Sequence, residues 1–380
     1  MISYWEKTAL LESDVIIVGA GITGLSAAIS LKEKLPSIDV IVLERGILPS
    51  GASTRNAGFA CIGSAGEILS DLQHMPEDLV LQLVEMRWKG LQLLRKRLGD
   101  SNILYRENGS YELLQPNQMS VADSLPLLNS LLKSVTGRET FKILPTDCLQ
   151  SFGFNVHSFT GIIQNNCEGE LHSGLMMKCL MQFANEKGVR ILTGCNVSQY
   201  NEVGHGVVVD VASLNADYTY TFKAKKAIIC TNAYTGFLFP QAEVEPGRGT
   251  IILTCPIKNL PFHGIFHFDE GYYYFRELDG RILFGGGRNE FREEEKTFEL
   301  SPNPKIVSLL IKILEQDILP GREVKVEDMW SGIMAFGKSK IPNLHWLGKH
   351  TFAAYKMGGM GVAIGSLAGD IAADAISKSL

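Results

Sequence analysis

Asp14-Val-Ile-Ile-Val-Gly-Ala-Gly-Ile-Thr-Gly-Leu-Ser-Ala-Ala28 is the stretch that decides the fold, because an apolar strand runs directly into closely spaced glycines and then into a helical pattern. Gly19 permits a tight strand-to-helix turn, Gly21 lets the backbone approach a pyrophosphate, and Gly24 lets the helix pack closely on the strand. Free N–H groups at the helix start would then face the phosphates. The stretch predicts a dinucleotide site rather than a glycine-rich turn without a ligand. The residues assigned to it are Gly19, Ala20, Gly21, Ile22, Thr23 and Gly24.

A second apolar strand, Asp39-Val-Ile-Val-Leu43, ends at Glu44, which stands twenty residues after Gly24. A carboxylate in this place accepts hydrogen bonds from the two hydroxyls of an adenosine ribose. It would also repel a ribose 2′-phosphate, so NADP is disfavoured. We assign Glu44 and the adjacent Arg45 to the dinucleotide site.

The composition is that of an ordinary globular protein of 380 residues, of which 45% are hydrophobic and 20% charged. A net charge of -5 with scattered lysines and arginines gives no surface for nucleic acid. The N-terminus has no basic leader, and no stretch reaches the roughly 18 apolar residues that span a membrane, so we expect a soluble, cytoplasmic protein. Seven cysteines without a C-x-x-C pair, and histidines outside metal-ligand spacing, predict neither disulfides nor a metal site.

Periodicity along the chain predicts an α/β protein: a Rossmann-type dinucleotide-binding domain with an inserted α+β substrate domain that contains an antiparallel sheet. The binding domain is assigned to residues 1–75, 155–235 and 328–380, and the substrate domain to 76–154 and 236–327. Helices are predicted over 77–99, 171–187 and 361–377, hairpins over 103–114 and 197–222, strands near 189–193, 226–231 and 351, and an antiparallel meander over 249–287.

Three further segments distinguish FAD from NAD. They are Ser53-Thr-Arg-Asn-Ala-Gly58, Cys230-Thr-Asn-Ala-Tyr-Thr235 and Lys356-Met-Gly-Gly-Met-Gly-Val-Ala-Ile-Gly-Ser-Leu-Ala-Gly-Asp370. Together they resemble the flavin-binding elements of the D-amino-acid oxidase superfamily of FAD-dependent oxidoreductases, and most closely the branch of glycine oxidase, sarcosine oxidase and γ-glutamylputrescine oxidase. The resemblance implies FAD as the cofactor. It adds as cofactor-binding residues Ser53, Thr54, Arg55, Asn56, Ala57, Gly58, Val197, Thr231, Asn232, Ala233, Gly332, Gly358, Gly359, Met360, Gly361 and Val362.

Physical chemistry supports several of these roles. A reduced flavin gains negative charge over N1 and O2, and the helix that opens at Gly361 would offer it N–H donors and a favourable dipole. Lys356 would add a positive charge there, or else be a solvated surface lysine. Arg55 and Asn56 would hold the pyrophosphate side and the ring edge through hydrogen bonds, with a surface ion pair as the alternative for Arg55.

Alternation along a strand puts Tyr272, Tyr274 and Arg276 on one face, which is the candidate substrate wall; the alternative is that the tyrosines fill a packed interface. In the amino-acid oxidases an arginine two residues after a W-x-G tripeptide clamps the substrate carboxylate, but here Met334 follows Trp330-Ser-Gly332. An α-amino acid would therefore lack its main anchor. No cysteine stands at the covalent-flavin position, so non-covalent FAD is expected. The candidate catalytic residues are Lys356, Tyr272, Tyr274, Arg276 and Met334.

These observations predict an enzyme that oxidises a C–N bond of a small amine by hydride transfer to flavin N5, with oxygen or another acceptor removing the electrons. One alternative is a flavin dehydrogenase of a 2-hydroxy acid or similar alcohol, docked to a membrane through Ile306-Val-Ser-Leu-Leu-Ile-Lys-Ile-Leu314 unless that stretch is an ordinary amphipathic helix. Another is a flavin-binding assembly or regulatory protein without turnover. The pattern assigns no oligomeric state.

Overall fold

A computed structural model describes residues 2–212 and 219–380. Its strands are β1 (Glu12–Val18), β2 (Val40–Leu43), β3 (Phe59–Ala60), β4 (Ser110–Leu114), β5 (Phe141–Ile143), β6 (Gly161–Asn165), β7 (Gly169–Glu170), β8 (Arg190–Leu192), β9 (Val197–Val203), β10 (Gly206–Ala212), β11 (Thr219–Ile229), β12 (Glu245–Thr254), β13 (Ile265–Phe268), β14 (Tyr273–Leu278), β15 (Arg281–Gly286), β16 (Val326–Phe336), β17 (Asn343–Trp346) and β18 (Thr351–Tyr355). Its α-helices are α1 (Ile22–Lys34), α2 (Ala52–Arg55), α3 (Ala65–His74), α4 (Glu77–Leu98), α5 (Ser120–Asp123), α6 (Leu125–Thr136), α7 (Asp147–Ser151), α8 (Ser173–Glu186), α9 (Thr235–Leu238), α10 (Pro304–Ile313) and α11 (Gly361–Ser377).

The first sheet contains the order β17-β18-β11-β1-β2-β8, along which all strands except β17 run parallel. Strands β10 and β9 extend the same sheet by antiparallel pairing on β11. The end of β1, from Val15 to Val18, is apolar throughout because a parallel sheet is covered on both faces. Helices α1 and α11 pack against each other over one face, where the Ser26 and Ser366 hydroxyls lie 3.2 Å apart. The predicted strand-helix-strand unit and the predicted final helix are confirmed.

The second sheet has the order β16-β12-β15-β14-β13-β4-β6-β5. The predicted antiparallel meander is confirmed, with left-handed turn residues at 269–271 and 279–280. One face of this sheet buries an aromatic cluster in which the Phe266 and Phe275 rings stack at 5.0 Å. Helix α10 packs on the same cluster through buried Ile306 and Leu310, so the apolar face of the stretch 306–314 belongs to the core and the membrane-docking hypothesis for it is wrong.

Two predicted hairpins differ from the structure. The segment 103–114 is no hairpin: residues Asp100–Ile103 form a 3₁₀ turn, Arg106 bridges to Glu170, and β4 pairs with β6 and β13. Long-range pairing thus displaces the local turn signal. Over 197–222, β9, β10 and the start of β11 pair antiparallel as three strands, and residues 213–218 of the predicted hairpin lie outside the described residues.

Three segments pack in a different layer of the structure from the one that the sequence predicts. Helix α4 was assigned to the substrate domain, but Leu91, Leu94 and Leu98 bury it against the helices of the first sheet. Strands β6 and β16 were assigned wholly or largely to the binding domain, but both belong to the second sheet. Within residues 2–212 and 219–380, no helix is long and apolar enough to cross a membrane.

Candidate active site

A cavity of about 700 Å³ brings together the ends of elements from both sheets. Its wall includes the β1–α1 turn, the segment 49–57, the turn after β11, the inner face of β16 and the start of α11. Most of the predicted cofactor residues line it: Gly19, Gly21, Ile22, Thr23, Glu44, Arg45, Ser53, Arg55, Asn56, Ala57, Val197, Thr231, Asn232, Gly332, Gly358, Gly359, Met360, Gly361 and Val362. The predicted residues outside the wall are Ala20, Gly24, Thr54, Gly58 and Ala233.

The β1–α1 turn has the form that the sequence predicts. Gly19 adopts a φ of +103°, and a Cβ on Gly24 would lie 1.9 Å from the Gly19 carbonyl oxygen, so a side chain at Gly24 would prevent this packing. Gly24 therefore shapes the turn without touching the cavity. The N–H of Ile22 donates to Ser53 Oγ at 3.0 Å, which ties the helix start to the segment 49–57.

Glu44 is fixed at the cavity wall by two backbone donors. Its Oε2 accepts from the N–H of Ala20 at 2.9 Å, and its Oε1 accepts from the N–H of Gly46 at 2.9 Å. A carboxylate has about four acceptor positions, so Glu44 retains capacity for ligand hydroxyls. Ala20 thus acts by orienting Glu44.

The side chains of Arg55 and Asn56 hold the loop itself, which corrects the expected roles of both. Asn56 Nδ2 donates to the Ser53 carbonyl at 2.7 Å, while its Oδ1 accepts from Gly58 N–H at 2.9 Å and from Ser173 Oγ at 2.7 Å. Arg55 donates to the carbonyls of Ser50 and Ser331 at 2.8 and 2.9 Å instead of pairing with a carboxylate. Both residues line the cavity, so these hydrogen bonds hold the loop in place at its wall.

The start of α11 enters the cavity through a left-handed segment. Lys356, Gly358 and Gly359 have φ values of +65°, +57° and +83°, and Asn232 Oδ1 accepts from the Lys356 N–H at 3.2 Å. The first N–H groups of α11 lack intrahelical acceptors and lie at the wall, as predicted. Lys356 is buried, and among the described residues no carboxylate lies within ion-pair distance of it. Burial lowers the pKa of its ammonium.

Tyr272 and Tyr274 line the cavity as predicted, while Arg276 does not. Arg276 shares their sheet face, but the chain around β3 and β7 covers it. Its guanidinium lies 3.1 Å from Glu170 Oε2 and donates to the Leu171 carbonyl at 3.0 Å. The prediction that Arg276 contacts substrate is therefore wrong. His172 has a structural role: its Nδ1 accepts from the Leu175 N–H at 3.2 Å and caps α8.

The cavity also contains side chains that the sequence did not indicate. Arg288 lies at the wall with its guanidinium carbon 3.9 Å from the centre of the Phe336 ring. His267 and Glu168 line another part; burial lowers the pKa of His267 to about 4 and raises that of Glu168. Arg288 directly follows the glycine run 285–287 at the end of a strand, which was the available signal for it.

The residues present fit FAD. Two helix starts, those of α1 and α11, lie at the wall of one cavity, which suits the pyrophosphate and the pyrimidine edge of a flavin. Glu44 supplies the acceptor for a ribose. The Cβ atoms that Gly19 and Gly24 lack would collide with neighbouring backbone.

Comparisons with known proteins agree with this geometry. Residues 14–375 match the family model described as FAD dependent oxidoreductase, DAO. The chain is 26% identical to the probable oxidoreductase OrdL of Haemophilus influenzae, covering 97% of this chain and 84% of that protein. It is 23% identical to the γ-glutamylputrescine oxidoreductase of Escherichia coli K12, covering 95% and 83%.

Among solved structures, glycine oxidase from Geobacillus kaustophilus superposes with a TM-score of 0.76 at 21% identity, covering 97% of this chain and 95% of that one. The predicted superfamily, the fold class and the FAD cofactor are thereby confirmed. The chain belongs to the DAO family of FAD-dependent oxidoreductases.

Proposed function

We propose that this enzyme oxidises a C–N bond in a small amine that has no carboxylate on the reacting carbon. The observation that carries the proposal is the position of Met334. Its side chain lines the cavity between two backbones: a Cβ on Gly249 would lie 2.8 Å from Met334 Cε, and one on Gly359 would lie 3.7 Å from Met334 Sδ. A thioether there gives an α-carboxylate no charged partner, so binding one incurs its desolvation cost without compensation.

Each part of the wall has a distinct task in this reaction. FAD, when bound, supplies the acceptor of the hydride, at N5. The N–H groups at the start of α11, together with the ammonium of Lys356, oppose the negative charge that develops beside them. Tyr272, Tyr274 and Met334 exclude water and orient the carbon chain of the amine. Neutral amine is the reactive form because an ammonium has no lone pair to assist loss of hydride.

FAD is held without a covalent bond in this proposal. Ser331, Gly332 and Ile333 provide no thiol at the linkage position of the resembling enzymes. The cavity cysteines Cys61, Cys195 and Cys230 are kept as thiols, because burial raises the pKa of each. The relative named γ-glutamylputrescine oxidoreductase is consistent with an amine substrate.

Anaerobic bleaching of the bound flavin tests the proposal. The holoenzyme is mixed without oxygen with primary amines, secondary amines, α-amino acids such as glycine, D-alanine and D-proline, and 2-hydroxy acids. We expect rapid bleaching by at least one amine that lacks an α-carboxylate. Bleaching by hydroxy acids and by no amine would support the dehydrogenase alternative, and reduction by dithionite alone would support a flavin protein without turnover.

A further inference from the structure

Arg288 is a cavity cation without an anion of its own. It is half-buried at the wall, and within residues 2–212 and 219–380 its guanidinium has neither an ion-pair partner nor a side-chain hydrogen bond. Two other cations of the wall differ in this respect: Lys296 pairs with Glu245 and Glu293, and Lys340 pairs with Glu67 and Asp71. Arg288 is therefore available for an anionic ligand.

Glu295 is the carboxylate whose charge acts on the pKa of Arg288, but its oxygens are already hydrogen-bonded to other residues. Glu295 is fully buried and receives two hydrogen bonds of 2.8 Å from Arg248, and a third of 2.7 Å from Asn303. Burial lowers the pKa of Arg288, the direction expected when a cation loses water without gaining an anion. A bound carboxylate would reverse that cost.

The neighbours of Arg288 hold the guanidinium in place. Phe336 provides a ring beneath it, and Gly247 leaves room for both, since a Cβ on Gly247 would lie 2.4 Å from the ring and 3.6 Å from Arg288 Cδ. A planar guanidinium stacked on an aromatic ring keeps its fork of donors at the edge, where a carboxylate binds in a bidentate manner. The group is thus preorganised for a carboxylate.

The position of Arg288 sets the distance of that carboxylate from the reacting carbon. Gly332, Met334 and Phe336 alternate along the inner face of β16, and all three line the cavity. Successive inward positions on a strand are about 7 Å apart. Arg288 over Phe336 therefore lies about 7 Å farther along the sheet than Met334, where the amino-acid oxidases place their carboxylate clamp.

We propose that Arg288 anchors a substrate carboxylate several bonds away from the C–N bond that is oxidised. The substrate class is then an amine with a carboxylate towards its other end. This inference rests on the proposed function for the identity of the reacting group, but the anion site itself does not depend on turnover.

Glutarate, a dicarboxylate that the flavin cannot oxidise at a C–N bond, is the probe. It is titrated into oxidised holoenzyme while the visible flavin spectrum and the heat of binding are recorded, for the wild type, Arg288→Gln and Arg288→Met. The control is Arg281→Gln, which removes a partly exposed arginine of β15 that pairs with Glu327 of β16. Flavin content and the unfolding midpoint verify that each variant is folded; Arg288→Met keeps an apolar stem on Phe336 if the glutamine variant is unstable.

We expect glutarate to bind the wild type and the control alike, and at least tenfold more weakly to both Arg288 variants. Equal affinity in all four proteins, or no binding to the wild type, would overturn the proposal. A second experiment compares anaerobic flavin reduction by putrescine acylated with succinate and with acetate. The anchor predicts a preference for the succinyl compound that disappears in Arg288→Gln. If no amine reduces the flavin, the proposed function fails while the glutarate result still decides the anchor.

Discussion

Lys356 has an unfavourable environment, because its side chain is buried and its backbone is left-handed. A buried ammonium with a left-handed backbone and no carboxylate in ion-pair distance, among the described residues, is destabilising on both counts. Such a cost is tolerated where the charge serves a ligand. We interpret Lys356 as a charge placed for the reduced flavin.

Lys356→Met should raise the free energy of unfolding of the apoprotein at neutral pH, because it removes the buried charge. In the wild type the pKa of Lys356 is lowered on folding, so the unfolded chain binds more protons between that lowered pKa and the ordinary value of 10.5. Stability from this residue therefore rises with pH across that window, and the variant should lose the rise. Urea unfolding at several pH values measures it.

The holoenzyme of Lys356→Met should respond in the opposite direction. Loss of a nearby positive charge disfavours the reduced flavin, so the flavin midpoint potential should fall. Lys142→Met, which changes an exposed lysine of β5, is the matched control for both measurements. An unchanged potential together with an unchanged pH profile would show that Lys356 does not face the flavin.

The residues at the site were easier to predict from the sequence than the residues to which they hydrogen-bond. Glu44 and the glycines were predictable because strand ends and helix starts place them whatever their neighbours are. Met334 was predictable from the resemblance, because it stands two residues after Trp330-Ser-Gly332. The destinations of Asn56 and Arg276 were not, since their hydrogen bonds lead to Ser173, Glu170 and Leu171, which the fold brings in from a distant part of the chain. Sequence periodicity does not show which distant segments of the chain come into contact.

At the scale of elements, the loop between α2 and β3 depends on a buried ion pair for its position. Arg276 donates to the carbonyl of Gly58, just before β3, and to that of Leu171, just after β7. Glu170 balances the charge of Arg276. The pair thus joins the second sheet to a loop that lines the cavity.

Arg276→Met should destabilise the protein by about 3 to 5 kcal/mol, because it removes the buried cation from Glu170 and leaves only the exposed Arg106, 3.6 Å away, beside that buried carboxylate. The double variant Arg276→Met with Glu170→Gln should recover a large part of that loss. Chemical unfolding of the two variants, with Arg281→Gln as an exposed control expected to cost at most about 1 kcal/mol, measures both effects. A single variant as stable as the control would rule out this role for the pair.

Element boundaries followed local signals where these were strong. The final helix begins at Gly361 and ends at Ser377 as predicted, because glycines precede it and an apolar face continues through it. The predicted hairpin at 103–114 failed because β4 finds its partners in β6 and β13, and the β13 pairing spans more than 150 residues of chain.

At the scale of the whole molecule, the fold class was predictable and the division of the chain between its layers was not. An apolar strand that runs into closely spaced glycines and then into a helix predicts a dinucleotide fold from local sequence alone. Membership of β6 and β16 in the second sheet depends on pairings between distant segments, which no local pattern encodes. The cavity lies where these distant segments meet, so Arg288 became visible only in the assembled structure.

The central claim is that the site oxidises an amine and rejects a carboxylate on the reacting carbon. Its most direct test is anaerobic stopped-flow reduction of the flavin by the fastest amine of the panel and by the same amine bearing an α-carboxylate. With Met334 in place, the carboxylated compound should react at least about tenfold more slowly, which corresponds to about 1.4 kcal/mol of lost transition-state binding. Equal or faster reduction by the carboxylated compound would contradict the account.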